Sequence, residues 1–331
     1  MSTDDRILGS RSFRFGALSH TGRGVAPRGR NRDRVWAAAR IGAVALGSLR
    51  AGACHGSGLP SGRAFSLPAT RLALEKTMRS LIINADDFGY DEDTVKATIS
   101  CFEGGLLTSA TILAGCPASR LAYDYARQHR KQLSFGLHFN IVEGRLAAQA
   151  GKSSLSGGDG MLRPCKAQRV RAMAGLLAEK DIREAFRQQL TELRDHGVQV
   201  THVDGHGHLH KYPAVIRAIK QEMLQAGIKW ARRPQNCYFQ KNAIRGALNV
   251  WLLHHFSGLR HTDYYIAADP REPGWALRLP AILRDGVTEM SVHPGFTEPW
   301  RRDESAPLLE PAELAAKLKS AGIALRRYGD L

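Results

Sequence analysis

Three things are scarce in this chain, and each scarcity closes off a class of protein. Cysteine occurs five times in 331 residues (Cys54, Cys101, Cys116, Cys165 and Cys237), with no CxxC pair. That excludes paired-cysteine zinc and redox motifs and a disulfide framework, and it reads as incidental thiols in a reducing compartment. Long apolar runs are also missing. The stretch "IGAVALGSL" (Ile41 to Leu49) falls well short of the roughly 20 residues that cross a bilayer. Arg40 and Arg50 bracket it, about 40 residues into the chain, where a secretory h-region does not sit. The expectation is a cytoplasmic protein with no transmembrane segment.

Acidic residues are the third shortage: 31 Asp and Glu stand against 47 Lys and Arg, a formal charge of +16. Such a surplus ordinarily points to nucleic acid or an anionic surface. Its position argues otherwise, because residues 1–77 hold 13 of the cations and four of the acids, which leaves only +7 for residues 78–331. No nucleic-acid partner is therefore expected, and a basic nucleic-acid-binding protein is the weaker alternative. The leader 1–77 carries no apolar period and reads as a disordered basic extension, a targeting segment, or a stretch translated from a start placed too early. The last is preferred, with Met78 as first residue, because "MRSLIINADDFG" opens a patterned strand directly after it.

From Ser80 onward short apolar runs alternate with amphipathic stretches, the signature of repeated βα units. Strand candidates are "SLIINA", "LTSATILA", "LSFGLHF", "VQVTHVD", "GIKWARR" and "VTEMSVH". Helix candidates are "DEDTVKATISCFEGG", entered by an Asp cap, "ASRLAYDYARQHR", "IREAFRQQLTELRDHG" and "YPAVIRAIKQEMLQAG". The Gly- and Ser-rich "GRLAAQAGKSSLSGGDGMLRP" reads as a long loop facing substrate. Residues 245–279 are less regular, with a helix-like "RGALNVWLLHHF".

Polar clusters fall where the apolar runs stop: Asp86 and Asp87, then His138, then "THVDGHGHLH", then His293. The carboxyl ends of parallel strands share one face, so this pattern predicts a single site. The third cluster is the densest, with four of the chain's 13 histidines between His202 and His210. Asp87, His138 and one histidine of that cluster would form an O,N,N metal site with open positions, the form of a catalytic centre. A divalent ion lowers the pKa of a water from about 15.7 to about 7, which removes roughly 12 kcal/mol from the cost of hydroxide at neutral pH. Asp86 is the candidate to take the proton and His293 the candidate to return one, each transfer being typically worth about 10²–10⁴ in rate. A phosphoesterase could use the same site, since hydroxide attacks phosphorus as well as carbon.

"IINADDFG", "GLHFN", "THVDGHGHLH" and "VHPG", in that order, resemble the YdjC-like carbohydrate deacetylases, a group that includes chitooligosaccharide and hopanoid-biosynthesis deacetylases. The resemblance covers about residues 79–331. It implies an α/β fold, a distorted (β/α) barrel of the glycoside hydrolase/deacetylase type, spanning 78–331. It also implies removal of an N-acetyl group from an amino sugar, whether oligosaccharide or glycolipid such as an N-acetylglucosaminyl hopanoid. By the same resemblance the metal ligands are Asp87, His138 and His206, the general base is Asp86, the general acid is His293, and Arg232 orients the base. The family's metal is magnesium. Two imidazole ligands suit zinc, manganese or nickel better, and zinc is the chemical alternative. "HVDGHGHLH" and "DGVTEMSVHPG" lie closer to the hopanoid-associated members. His202, Asp204, His208 and His210 remain supporting or substrate-facing candidates, and the oligomeric state stays open, a homo-oligomer included.

Overall fold

The computed structural model describes residues 78–145, 153–240, 243–268 and 274–331. The leader 1–77, with its expected disorder, lies outside these residues, as does part of the Gly/Ser-rich loop.

The chain builds one parallel sheet flanked by helices. The strands are β1 (Arg79–Phe88), β2 (Ser109–Ile112), β3 (Ser134–Phe139), β4 (Val200–Gly205), β5 (Trp230–Ala231), β6 (Tyr264–Ala267), β7 (Gly286–Val292) and β8 (Ala324–Leu325). Their order is β5-β4-β3-β2-β1-β7-β6, with β8 added to β1. β1 runs down the middle, and Leu81, Ile82, Ile83 and Ala85 have no exposed surface. A strand covered on both faces carries such an unbroken apolar run, which is why "SLIINA" is not alternating. The edges β5 and β6 do not pair as strands; backbone N–H groups of Asn236 and Cys237 bond to Tyr265 O at 3.3 and 3.1 Å across the gap. The barrel is thus distorted and incompletely closed.

The helices follow from their patterns. α1 (Glu92–Glu103) opens with a capping box: Asp91 accepts from Thr94 N at 2.8 Å, and Thr94 Oγ1 accepts from Asp91 N at 3.1 Å. α2 (Ser119–His129), α4 (Glu179–Asp195) and α5 (Pro213–Gln225) are the expected amphipathic helices. α4 buries Ile182, Ala185, Phe186, Leu190 and Leu193, one stripe at helical spacing. "RGALNVWLLHHF" becomes α6 (Ala243–Leu253).

Several elements differ from expectation. α3 (Cys165–Met173) follows the loop directly, and α7 (Trp275–Ile282), α8 (Pro299–Leu309) and α9 (Ala312–Ser320) occupy a region with no clear helical signal. Pro280 and Pro307 lie inside α7 and α8, and interior proline reads as a helix breaker. β5 keeps only two residues of "GIKWARR", and β6 is four residues long. Among the described residues no helix is long and apolar enough to cross a membrane.

Candidate metal centre and catalytic site

Strand register brings the polar residues together. Cα pairing of Ala85 with Val292 sets Asp86 beside His293 across β1 and β7, and His138 pairs with Asp204 across β3 and β4. All six residues singled out from the sequence converge at the carboxyl ends of the strands. Asp86 and Asp87 diverge there. The β1–β2 register shifts between Ala85 and Phe88, and Asp87 takes φ 61°, left-handed backbone that is uncommon outside glycine. Such strain persists only where surroundings hold it, and it clusters at functional sites.

Asp87 faces two imidazoles. Its Oδ1 lies 2.8 Å from His206 Nδ1 and 3.2 Å from His138 Nε2, and those two nitrogens are 3.3 Å apart. Burial raises the Asp87 pKa, yet the two histidines outweigh it and hold the carboxyl well below its ordinary range. Burial opposes protonation of His138, but Asp204 and Asp87 lift it to about 10; His206 is likewise lifted, by Asp87 and Glu143, to about 9. Two imidazolium cations facing each other would repel. Two neutral rings sharing a bound cation with the carboxylate would not. Asp204 Oδ1 sits 2.7 Å from His138 Nδ1, the carboxylate–histidine support typical of metal ligands. The donor set therefore fits a divalent ion. Asp86, His138 and Asp204 also cluster closely enough for an ion. A guanidinium already fills that place.

That guanidinium belongs to Arg232, which has no exposed surface. Nη1 and Nη2 donate to the two oxygens of Asp86 at 2.6 and 2.7 Å, Nη1 also meets Asp204 Oδ2 at 2.6 Å, and Nε donates to Glu289 Oε1 at 2.7 Å. Bidentate pairing fixes the Asp86 carboxylate in direction as well as charge. Tyr328 donates to Glu289 Oε2 at 2.6 Å, so the chain's last turn closes the cluster from behind. Burial pushes Glu289 up to about 7 against the pull of Arg232.

His293 Nε2 stands 3.8 Å from Asp86 Oδ2. Glu304 Oε2 accepts from the His293 backbone N–H at 2.7 Å and lies 3.0 Å from its Nδ1, which fixes the ring and leaves Nε2 toward Asp86. Burial lowers the His293 pKa, but Glu304 and Asp86 together raise it above the ordinary imidazole value.

The histidine cluster divides into separate roles. His202 stacks on Tyr328 at 3.8 Å between centroids and is a core residue, pulled down to about 3 by burial. His210 Nε2 lies 3.1 Å from Arg232 O and supports that backbone. His206 alone reaches Asp87. Gly207, at φ 60°, lets the chain turn between them, and a Cβ there would lie 2.5 Å from Cys165 Sγ.

Arg301, Glu143, Glu289 and Glu304 were not anticipated. Arg301 and Glu304, within the charged stretch "PWRRDES", are buried. Beside Asp87 a cavity of about 390 Å³ is lined by Tyr90, Glu143, His206, Trp300 and Arg301 among others. A second, of about 380 Å³ and reaching Cys116, Asn140 and Glu192, shares Tyr90, Asp91 and Glu143 with it. Glu143, Gly144, Arg145 and Leu162 line the second cavity, so the described ends of the Gly/Ser-rich loop do border the groove.

Residues 80–321 match the family described as YdjC-like protein. The carbohydrate deacetylase of Mus musculus is 30% identical over 298 residues, covering 76% of this chain and 94% of the mouse protein. That of Homo sapiens is 28% identical over 298 residues, covering 76% and 90%. A solved structure, that of a candidate cellobiose-phosphate cleavage protein from Enterococcus faecalis V583, shares the fold with a TM-score of 0.63 and 21% identity, over 76% of this chain and 98% of that one. Motif order, strand topology and similarity over about three quarters of the chain agree: the chain belongs to the YdjC-like family.

Proposed function

We propose that this protein is a carbohydrate deacetylase that uses a divalent metal to remove the N-acetyl group of an amino sugar. The observation that carries the reading is the pairing of Asp87, His138 and His206 with an Asp86 carboxylate held by Arg232 and faced by His293 at 3.8 Å. The names carried by the mouse and human relatives support the substrate class.

Asp87, His138 and His206 would hold the ion. When bound, it supplies positive charge that lowers the pKa of a water from about 15.7 toward about 7. Asp86 is the base: two hydrogen bonds from Arg232 aim its carboxylate, so it can take the water's proton. His293, its tautomer fixed by Glu304, gives a proton to the departing nitrogen. An amine is a poor leaving group as its anion, and this transfer avoids that anion. One carboxylate and two imidazoles suit zinc, manganese or nickel more than magnesium. The groove beside the site suits an extended substrate, an oligosaccharide or a glycolipid headgroup.

The test uses the full chain, chelated and then reloaded with Zn²⁺ or Mg²⁺, against N-acetylglucosamine oligomers and phosphate esters side by side. Acetate release that requires metal is the expected result. Phosphate release without acetate would replace the reading with a phosphoesterase.

A further inference from the structure

The wall of the cavity beside His206 includes an arginine, Arg301, one of whose donors the protein leaves unused. Arg301 is 7% exposed. Its Nε meets Glu298 Oε2 at 3.0 Å, its Nη2 meets Asp87 Oδ2 at 2.8 Å, and its Cζ lies 4.5 Å from the Trp300 ring centroid. Nη1 is buried and has no partner. A buried unpaired N–H on a charged group is costly and rare in native proteins. Its retention at the wall of a cavity shared with His206 calls for a partner that arrives with a ligand.

The cavity's own acids are engaged elsewhere. Asp93 accepts from Phe296 N, Thr297 N and Thr297 Oγ1, Asp91 caps α1, Glu298 takes Nε, and Glu143 Oε1 lies 3.4 Å from His206 Nε2. Those carboxylates disfavour an anionic ligand. A neutral oxygen acceptor whose charge grows during reaction fits the free arm.

We propose that Arg301 is a catalytic residue whose Nη1 donates to the acyl oxygen of the substrate. The inference rests on the deacetylase reading. Water oxygen bonds to the carbonyl carbon while Asp86 takes its proton, and the C=O π pair moves onto the acyl oxygen, where Arg301 meets the new charge. When that pair returns, the C–N bond breaks and its electrons leave with nitrogen, which takes a proton from His293. Acetate and a free amine result, and Arg301 neither gives nor loses a proton. A preorganised donor of this kind meets the neutral acyl oxygen weakly and the charged one strongly, so most of its effect appears in kcat.

The competing account makes Arg301 a positioning residue that merely holds Asp87 Oδ2. The two differ once metal is saturating. The experiment compares full-length Arg301→Gln and Arg301→Lys with the natural chain. It measures Zn²⁺ affinity by calorimetry, kcat and KM at saturating Zn²⁺, and binding of N-acetylglucosamine and glucosamine trimers to zinc-free protein. The expected result is a loss of about 10²–10³ in kcat at saturating Zn²⁺ with KM little changed. Arg301→Gln should also lose the natural chain's preference for the acetylated trimer. Recovery of kcat on saturation with Zn²⁺ would overturn the proposal in favour of positioning, as would an unaltered trimer preference or a natural chain that has none. If Arg301→Gln fails to fold, Arg301→Lys decides, since it keeps a cation beside Asp87 without the forked donors. A natural chain that releases no acetate refutes the deacetylase reading, while the trimer preference still judges Arg301.

Discussion

Asp86 and Asp87 are neighbours in sequence and opposites in surroundings. Asp86 lies in a sealed, permanent charge cluster: Arg232 serves Asp86, Asp204 and Glu289 at 2.6–2.7 Å, with no solvent contact for Arg232. Asp87 faces two imidazoles, and two of its partners, His206 and Arg301, line a cavity of about 390 Å³. The cation of the first half is built into the chain. In the proposed reading that of the second is an exchangeable ion, and the left-handed backbone at Asp87 sets the two carboxylates apart. In the proposed reading one residue type thus serves as a fixed base and as a metal ligand, through partners and not through identity.

That contrast can be broken in order of effect. His138→Ala, on the exchangeable side, should abolish metal binding and lower kcat/KM by at least about 10³, the scale of losing an ion's charge stabilisation; metal analysis and acetate assays check it. Asp86→Asn, on the permanent side, should cost about 10²–10⁴ in kcat while the protein still binds zinc. Loss of zinc in that variant would erase the distinction. Arg232→Met leaves three buried carboxylates without their cation and should cost about 3–5 kcal/mol in urea unfolding. The mildest change is Glu304→Gln. Removing that negative charge lowers the His293 pKa, so the acid form is lost at lower pH and the alkaline limb of the rate profile moves acidward.

Sequence reasoning reached the strands of the first half and every residue placed at their ends, because unbroken apolar runs followed by charge mark a buried parallel strand meeting its site. It identified His206 only through motif resemblance: four histidines within nine residues are equivalent until a left-handed turn at Gly207 and His208 separates them. Arg301, Glu304 and Glu289 stayed hidden because a buried charge carries no local signature. Glu289 and Arg301 are recognisable only by partners 39 and 214 positions away, and Glu304 only by His293, 11 positions before it and outside its own proline-containing helix. β6, β8 and the helices α7 to α9 were illegible for a related reason, since two- to four-residue strands and helices with internal proline draw their stability from packing.

The central claim is that the Asp87 side works only with an ion that the Asp86 side does not need. The direct measurement is acetate release from N-acetylglucosamine oligomers by the chelated full chain, by the same chain reloaded with Zn²⁺, and by reloaded His206→Ala. The account predicts activity in the reloaded natural chain alone. Undiminished activity after chelation, or in His206→Ala, would contradict it.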